Sequence, residues 1–386
     1  MSTWEEFKRT RPKFYNIEVA AVETLASSLR DGVECKVADE FESGIDNVAF
    51  KVIFTDEIKW ICRVRAQREN HSVAFASAKL NSSVATMRYV KSNSSIPVPA
   101  VYAHEARNTR PGLGSGYIVM EWISGSEVDP DDIPDIVEQD EKQVYEQLAF
   151  VTTQLWKLRF DKIGPLYEND LGQTYVGPFV DEQGNSSGPF DTAVEYFKFK
   201  VAGIRTTFND FLNKNPELSD SEKRRARTIC SLYEKVASEL SDHDYGTFPL
   251  THGDLGTHNV LFERDEDGQL QINGVLDWDY AHASAWPDFG QFPTLLEIDW
   301  PSLEAGQYSS LALDSLRHQQ KLYLCGVRKY EDTTRLDGYP LLSEIIDTAA
   351  VRVSEFILLY SNPRDEVDVP LLLKYIREWR RDWKDE

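Results

Sequence analysis

The amino-acid sequence predicts an α+β chain of two unequal parts, a small β-rich N-terminal part and a larger, mainly helical one. Three observations carry that reading. Within residues 35–65 the segments NVAFKVIF and KWICRVR are dense in β-branched and aromatic residues and are separated by the polar turn TDE, the pattern of adjacent strands. From about residue 138 apolar residues recur at three-to-four spacing instead, the period of a helix. Residues 247–290 then revert to short strand-like runs and turns.

Taken in order, residues 1–34 read as a helical lead-in. ESGIDN is a Gly/Asn/Asp turn lying before NVAFKVIF. Residues 70–93 read as a helix with Val73, Ala76, Leu80, Val84, Met87 and Val90 on its apolar face. The two prolines of IPVPAVYAHE exclude helix and fit an extended edge segment. PGLGSG then turns the chain into a buried strand, YIVMEWI. Residues 139–160 are helical, 170–190 a long Gly-rich polar loop, and 191–241 two helices broken near Asn215-Pro216. The remainder is helical, and Trp379 and Trp383, one turn apart, are expected to dock the last helix. The expected organisation is a lead-in over 1–34, a β-rich part over 35–122 and a helical part over 123–386.

Composition narrows the function classes. The chain has 386 residues, 41% hydrophobic and 27% charged, as in an ordinary globular protein. No apolar run approaches the ~18 residues of a membrane span. The N-terminal residues lack the apolar core of a secretory signal, so a cytoplasmic protein is expected. Cys35, Cys62, Cys230 and Cys325 have neither disulfide-framework nor zinc-site spacing. Net charge is −22 and unevenly spread. Residues 1–120 hold 16 Lys and Arg against 14 Asp and Glu, while residues 121–386 hold 26 against 50. That balance disfavours nucleic acid and anionic membranes as partners. It suits an anion in the N-terminal part and a cation or metal ion in the rest.

The chemistry lies in Phe248–Gly290. His252-Gly253-Asp254 is followed by Asn259, five residues past Asp254, and then by Asp277 in Val275-Leu276-Asp277-Trp278-Asp279. Phosphoryl transfer needs these types: a carboxylate to orient or deprotonate an attacking hydroxyl, and an amide oxygen with a second carboxylate to hold Mg²⁺ against the phosphates. Mg²⁺ prefers hard oxygen donors and keeps several waters, so one Asn and one Asp suffice. A hairpin of VLF and GVLD would return Asp277 beside Asn259.

This ordered set resembles the aminoglycoside phosphotransferase and choline kinase-like superfamily, most closely its fungal branch. Phe50-Lys51-Val52 with Trp60-Ile61-Cys62-Arg63-Val64, Ser95-Ile96-Pro97-Val98-Pro99, Val119-Met120-Glu121 with Gly125, and Leu158-Arg159-Phe160-Asp161-Lys162-Ile163-Gly164 extend the resemblance over roughly residues 35–295. It implies a bilobal protein-kinase-like fold whose small lobe carries the nucleotide-binding sheet. It implies ATP and Mg²⁺ as cofactors, a small cationic or polar molecule as hydroxyl acceptor, Asp254 as the catalytic aspartate, and Asn259 and Asp277 as metal ligands. The backbone from Glu121 to Ile123 would meet the adenine. The turn holding Ser43, Gly44 and Asn47 would cover the phosphates, and Arg63 would take the place of the usual phosphate-binding Lys. Asp288 would brace the catalytic loop.

The sequence departs from that pattern at Ser83, where the helix after the third strand would offer a Glu to pair with Arg63, and Glu69 is the nearest candidate substitute. This departure and the Arg63 substitution together support a second reading, a nucleotide- or partner-binding module without turnover. Among the remaining polar residues, His252 reads as structural, His258 as an exposed loop residue, and Asp279 as either solvated or facing a cationic acceptor. Gly112–Gly116 reads as a hairpin turn, since no helix opens after it as the phosphate-binding fingerprint requires. Lys223–Arg227 reads as a solvated helix face.

Overall fold

Strict alternation builds the sheet. In β2 (Asn47–Phe54) and β3 (Lys59–Arg65) every second side chain is buried, from Val48, Phe50, Val52 and Phe54 across to Trp60, Cys62 and Val64. Such a strand buries one face and leaves the other for different work. In the computed structural model, which describes residues 4–66, 68–128, 138–240, 246–294, 296, 309–334, 336–359 and 369–380, these strands join β1 (Cys35–Ser43), β4 (Val101–Glu105) and β5 (Gly116–Glu121). Together they form an antiparallel sheet of order β1-β2-β3-β5-β4.

The apolar face is covered by the lead-in. Trp4 of α1 (Trp4–Thr10), then Phe14, Ile17, and Val22 and Leu25 of α2 (Val19–Ser28), share one core cluster with the sheet. The Trp4 ring stands edge-on to Phe50 at 5.0 Å and to Phe41 at 5.1 Å. A second cluster of Leu80, Val84 and Ile118 packs α3 (Val73–Asn93) against β5. Ser72 caps α3 by accepting a hydrogen bond from the Phe75 N–H. Val73 is exposed because it opens the first turn, ahead of the buried stretch from Leu80 to Val90.

Contacts divide the chain into two compact units. The first combines residues 1–128 with 165–187 and 258–281; the second holds the described residues of 129–164, 188–257 and 282–386. The stretch expected as a long loop, 170–190, contains three short strands in small antiparallel pairs, β8 (Thr174–Val176) with β7 (Leu166–Glu168) just before it, and β9 (Phe179–Val180) with β10 (Ser186–Ser187). They are tied to α3 by an Arg88–Glu168 ion pair at 2.7 Å and by the Ser72 N–H on the Glu182 carbonyl. A polar composition misled there because these strands pair with one another and carry little of the core.

The second unit is mainly helical, as expected. It contains α4 (Glu138–Lys157), α5 (Ala193–Lys214), α6 (Asp220–Ala237) and helices over Ser310–Thr334, Ala349–Leu359 and Val369–Trp379. The α5–α6 break falls at Asn215-Pro216, and a Ser219–Glu222 capping box restarts the helix. Its short sheet sets β11 (Phe248–Thr251) between β6 (Arg159–Phe160) and β14 (His282–Ala283). The α+β class holds. Among the described residues no helix is long and apolar enough to cross a membrane, and the four cysteines are free. Trp383 lies outside the described residues.

Candidate active site

The expected hairpin is present. β12 (Val260–Arg264) pairs antiparallel with β13 (Leu270–Val275), Val260 opposite Val275. The ladder runs one step further, with the Leu276 N–H donating to the Asn259 carbonyl at 2.8 Å. That bond brings Asn259 and Asp277 to neighbouring positions at the open end of the hairpin. Asn259 is buried, whereas the Asp277 side chain is 41% exposed. Asp277 has the left-handed backbone (φ 55°, ψ 67°), a conformation uncommon for residues other than glycine and best tolerated by Asn and Asp. It turns the carboxylate out of the strand direction as the chain enters the 3₁₀ turn Trp278–Tyr280.

Arg63 meets that carboxylate. It lies on the face of β3 opposite the core, and its Nη1 donates to Asp277 Oδ1 at 3.1 Å. Its Nη2 donates to Asp279 Oδ1 at 2.5 Å and reaches Ser83 Oγ of α3 at 3.5 Å. Arg65, two residues on and therefore on the same face, stands 4.0 Å from Asp279 Oδ2 and 3.7 Å from Asp46. The expectation that Asp279 is solvated or faces an acceptor is corrected: its side chain is 3% exposed and enclosed by cations. Burial alone would raise its pKa, but the charge of Arg63, with Lys79 and Arg65 behind it, lowers it to about 2. Glu69 is exposed and does not supply the missing acid.

The β1–β2 turn stands against the same cluster. Ser43 pairs with Val48, and the Gly44 N–H donates to the Asn47 carbonyl at 2.9 Å. Ser43 and Gly44 are exposed, while the Asn47 amide donates to Asp279 Oδ2 at 3.4 Å. Gly112–Gly116 connects β4 to β5, the hairpin-turn role expected of it.

At the end of β5, the Glu121 N–H donates to the Ala100 carbonyl, and its carboxylate accepts from the Ala100 N–H at 3.0 Å. Ile123 follows in a strand-free stretch with its side chain over Gly274 of β13. Asn273 bonds Ser124 O and Glu263 Oε2, each at 2.9 Å, and Ser126 and Phe262 exchange backbone hydrogen bonds. Gly125 (φ 121°) makes that closeness possible, since a Cβ there would lie 2.8 Å from the Phe262 carbonyl oxygen.

Asp254 belongs to the second unit. β11 delivers the chain to buried His252. Gly253 (φ 80°) turns it, with its N–H on Thr251 Oγ1 at 3.3 Å, and Asp254 Oδ1 accepts from Thr294 Oγ1 at 3.3 Å. His258, expected as an exposed loop residue, is half-buried in the 3₁₀ turn Thr257–Asn259. Asp288 is largely enclosed, its side chain 12% exposed, and accepts from Tyr196 Oη at 2.8 Å and Ser284 Oγ at 2.7 Å, with His282 Nε2 3.5 Å away. These bonds hold the segments around β14 and α5 together.

The donor set fits Mg²⁺. One amide oxygen and one partly exposed carboxylate, on residues at neighbouring positions of the hairpin end, would leave the remaining positions to water and phosphate oxygens. Arg63 is the cation now sharing Asp277. The structure brings the expected Arg63, Asn259 and Asp277 to one place, and adds Arg65, Asp46 and a buried Asp279 side chain that the sequence did not single out in this role. The available signal was periodicity: two arginines at i, i+2 on one strand share a face, and buried charges need partners.

The family model of the phosphotransferase enzyme family matches residues 37–308. Among solved structures, a 2''-Ib aminoglycoside phosphotransferase with ADP is 16% identical, with 93% of this chain and 96% of that one covered and a TM-score of 0.48. A 2''-IIa aminoglycoside phosphotransferase with streptomycin and ATP is 17% identical, covering 83% and 88%, with a TM-score of 0.49. A macrolide 2'-phosphotransferase from Brachybacterium faecium is 13% identical, covering 95% and 99%, with a TM-score of 0.44. A search of curated protein sequences finds no match.

Proposed function

We propose that this chain, which belongs to the phosphotransferase enzyme family, moves the γ-phosphoryl group of ATP to a hydroxyl of a small polar or cationic molecule. The observation that carries the reading is the β12–β13 hairpin, with Asn259 and Asp277 at its open end and Arg63 within hydrogen-bond distance of the Asp277 carboxylate. Asn259 and Asp277 would hold Mg²⁺, which supplies charge neutralisation at the β- and γ-phosphates when bound. Arg63 would steady the phosphates beneath the turn of Ser43, Gly44 and Asn47, and the backbone from Glu121 to Ile123 would meet the adenine. Asp254 would orient the acceptor hydroxyl and take its proton as the acceptor oxygen bonds to phosphorus and the bond to the ADP oxygen breaks. Catalysis is then positioning and charge stabilisation, with no covalent enzyme intermediate. The alternative of a module without turnover drew on the missing helix acid and on Arg63 in place of a lysine, and the two aspartates around Arg63 weigh against the first of these.

The test is calorimetric titration with a non-hydrolysable ATP analogue, with and without Mg²⁺, together with turnover assays on an acceptor panel. Asp277→Asn is expected to abolish the Mg²⁺ dependence of binding. Asp254→Asn is expected to lower turnover by roughly 10²–10⁴-fold while leaving nucleotide affinity nearly unchanged. Undiminished turnover in Asp254→Asn would remove that residue from the chemistry.

A further inference from the structure

Arg63 is shared between two carboxylates of unlike burial. Asp277 is 41% exposed and sits where a metal ion would compete for it, whereas Asp279 is 3% exposed. The side chain that α3 turns toward Arg63 is Ser83, which carries no charge and reaches only 3.5 Å. Asp279 has a further contact that Asp277 lacks, since its second oxygen accepts from the Asn47 amide of the β1–β2 turn.

We propose that Asp279 is the positioning residue of the phosphate site, holding Arg63 in place of an acid on α3 and tying it to the turn through Asn47, while Asp277 is a partner that Arg63 releases when metal and nucleotide bind. The inference rests on the phosphotransferase reading for what the site binds, but the anchoring of Arg63 stands without it. Physically, a guanidinium only 13% exposed keeps an anion beside it. Of the two candidates only the buried one can stay engaged once the exposed one turns to a cation. Arg63 keeps one arm fixed on Asp279 and frees the other, Nη1, toward incoming phosphate oxygens, a use of the planar fork that a lysine could not reproduce. Asp279 touches neither substrate nor metal in this scheme; it acts through Arg63 and Asn47.

The experiment compares Asp279→Asn, Ser83→Glu and the double variant by titration with a Mg²⁺-bound ATP analogue and by steady-state kinetics. Asp279→Asn should weaken nucleotide binding by about tenfold or more, raising the nucleotide KM more than it lowers kcat. Adding Ser83→Glu, which puts an acid on α3 facing Arg63, should recover most of that loss. Binding by Asp279→Asn as tight as by the wild type, or a double variant no better than Asp279→Asn, would overturn the proposal. A second measurement covers the case in which Asp279→Asn does not fold: NMR of the wild-type Arg63 guanidinium should show slow rotation both without nucleotide and after Mg²⁺ and analogue are added. Free rotation in either state would also overturn it. If the wild type binds no nucleotide, the phosphotransferase reading falls, whereas slow guanidinium rotation in the nucleotide-free protein still tests the anchor.

Discussion

Asp288 illustrates how one largely enclosed carboxylate is made tolerable. Burial by itself would push its pKa up, but the hydrogen bond and charge of His282, the charge of Lys200 and the Ser284 hydroxyl hold it below the ordinary value. A carboxyl whose pKa is lower folded than unfolded stabilises the protein above its unfolded pKa of about 3.9 and loses that contribution as pH falls through the folded value. The stability advantage of the wild type over Asp288→Asn should therefore be full near neutral pH and shrink below about pH 4. Urea unfolding of both proteins from pH 7 to pH 3 checks this; a gap that stays constant to pH 3 would contradict it. The same logic separates the residues that the sequence revealed from those it did not. Asp254, Asn259 and Asp277 stand in a spacing that chemistry explains. Arg65 and Asp279 look like two more charges until a fold shows that each has the other for company.

At the scale of elements, short connections position the chemistry. The stretch after β5 and the β12–β13 hairpin are joined by Asn273, Ser124 and Glu263 and by the Ser126–Phe262 bridge. Gly125 is where the two backbones come closest. Gly125→Ala would force a side chain into a left-handed conformation and against a carbonyl oxygen, at a cost of about 1–3 kcal/mol. The expected result is a lower thermal midpoint together with weaker nucleotide binding, since the same contact supports Ile123 and Gly274. Calorimetric unfolding and titration of the variant check both, and an unchanged midpoint would show that the bridge relaxes freely. The hairpin and the turns around it were legible in the sequence because their signals are local: alternation, Gly and Asn at turns, proline where helix is excluded. The small strands within residues 165–187 were not, because a strand of two or three residues is too short to show a periodicity.

At the scale of the molecule, the lead-in proves to be structural. Phe14 is fully buried, and with Trp4, Ile17, Val22 and Leu25 it completes the core on the apolar face of the five-stranded sheet. Phe14→Ala should cost about 3–5 kcal/mol, as for other large-to-small changes in a packed core, and the loss should appear in the unfolding of the first unit. Urea unfolding followed by a reporter in that unit measures it, and a loss under about 1 kcal/mol would place the lead-in outside the cooperative core.

By itself the sequence determined the α+β class, the main strands and helices, and the ordered spacing of Asp254, Asn259 and Asp277 from which phosphoryl transfer is proposed, because these follow from local periodicity and turn chemistry. Only the tertiary structure decided what faces Arg63. Its partners, Asp277 and Asp279, lie more than two hundred residues away in sequence, and no local pattern encodes a pairing at that distance. Burial decided it: a cation enclosed between α3 and the hairpin must be matched by a carboxylate brought there by the fold, and the side chain offered by the helix is Ser83.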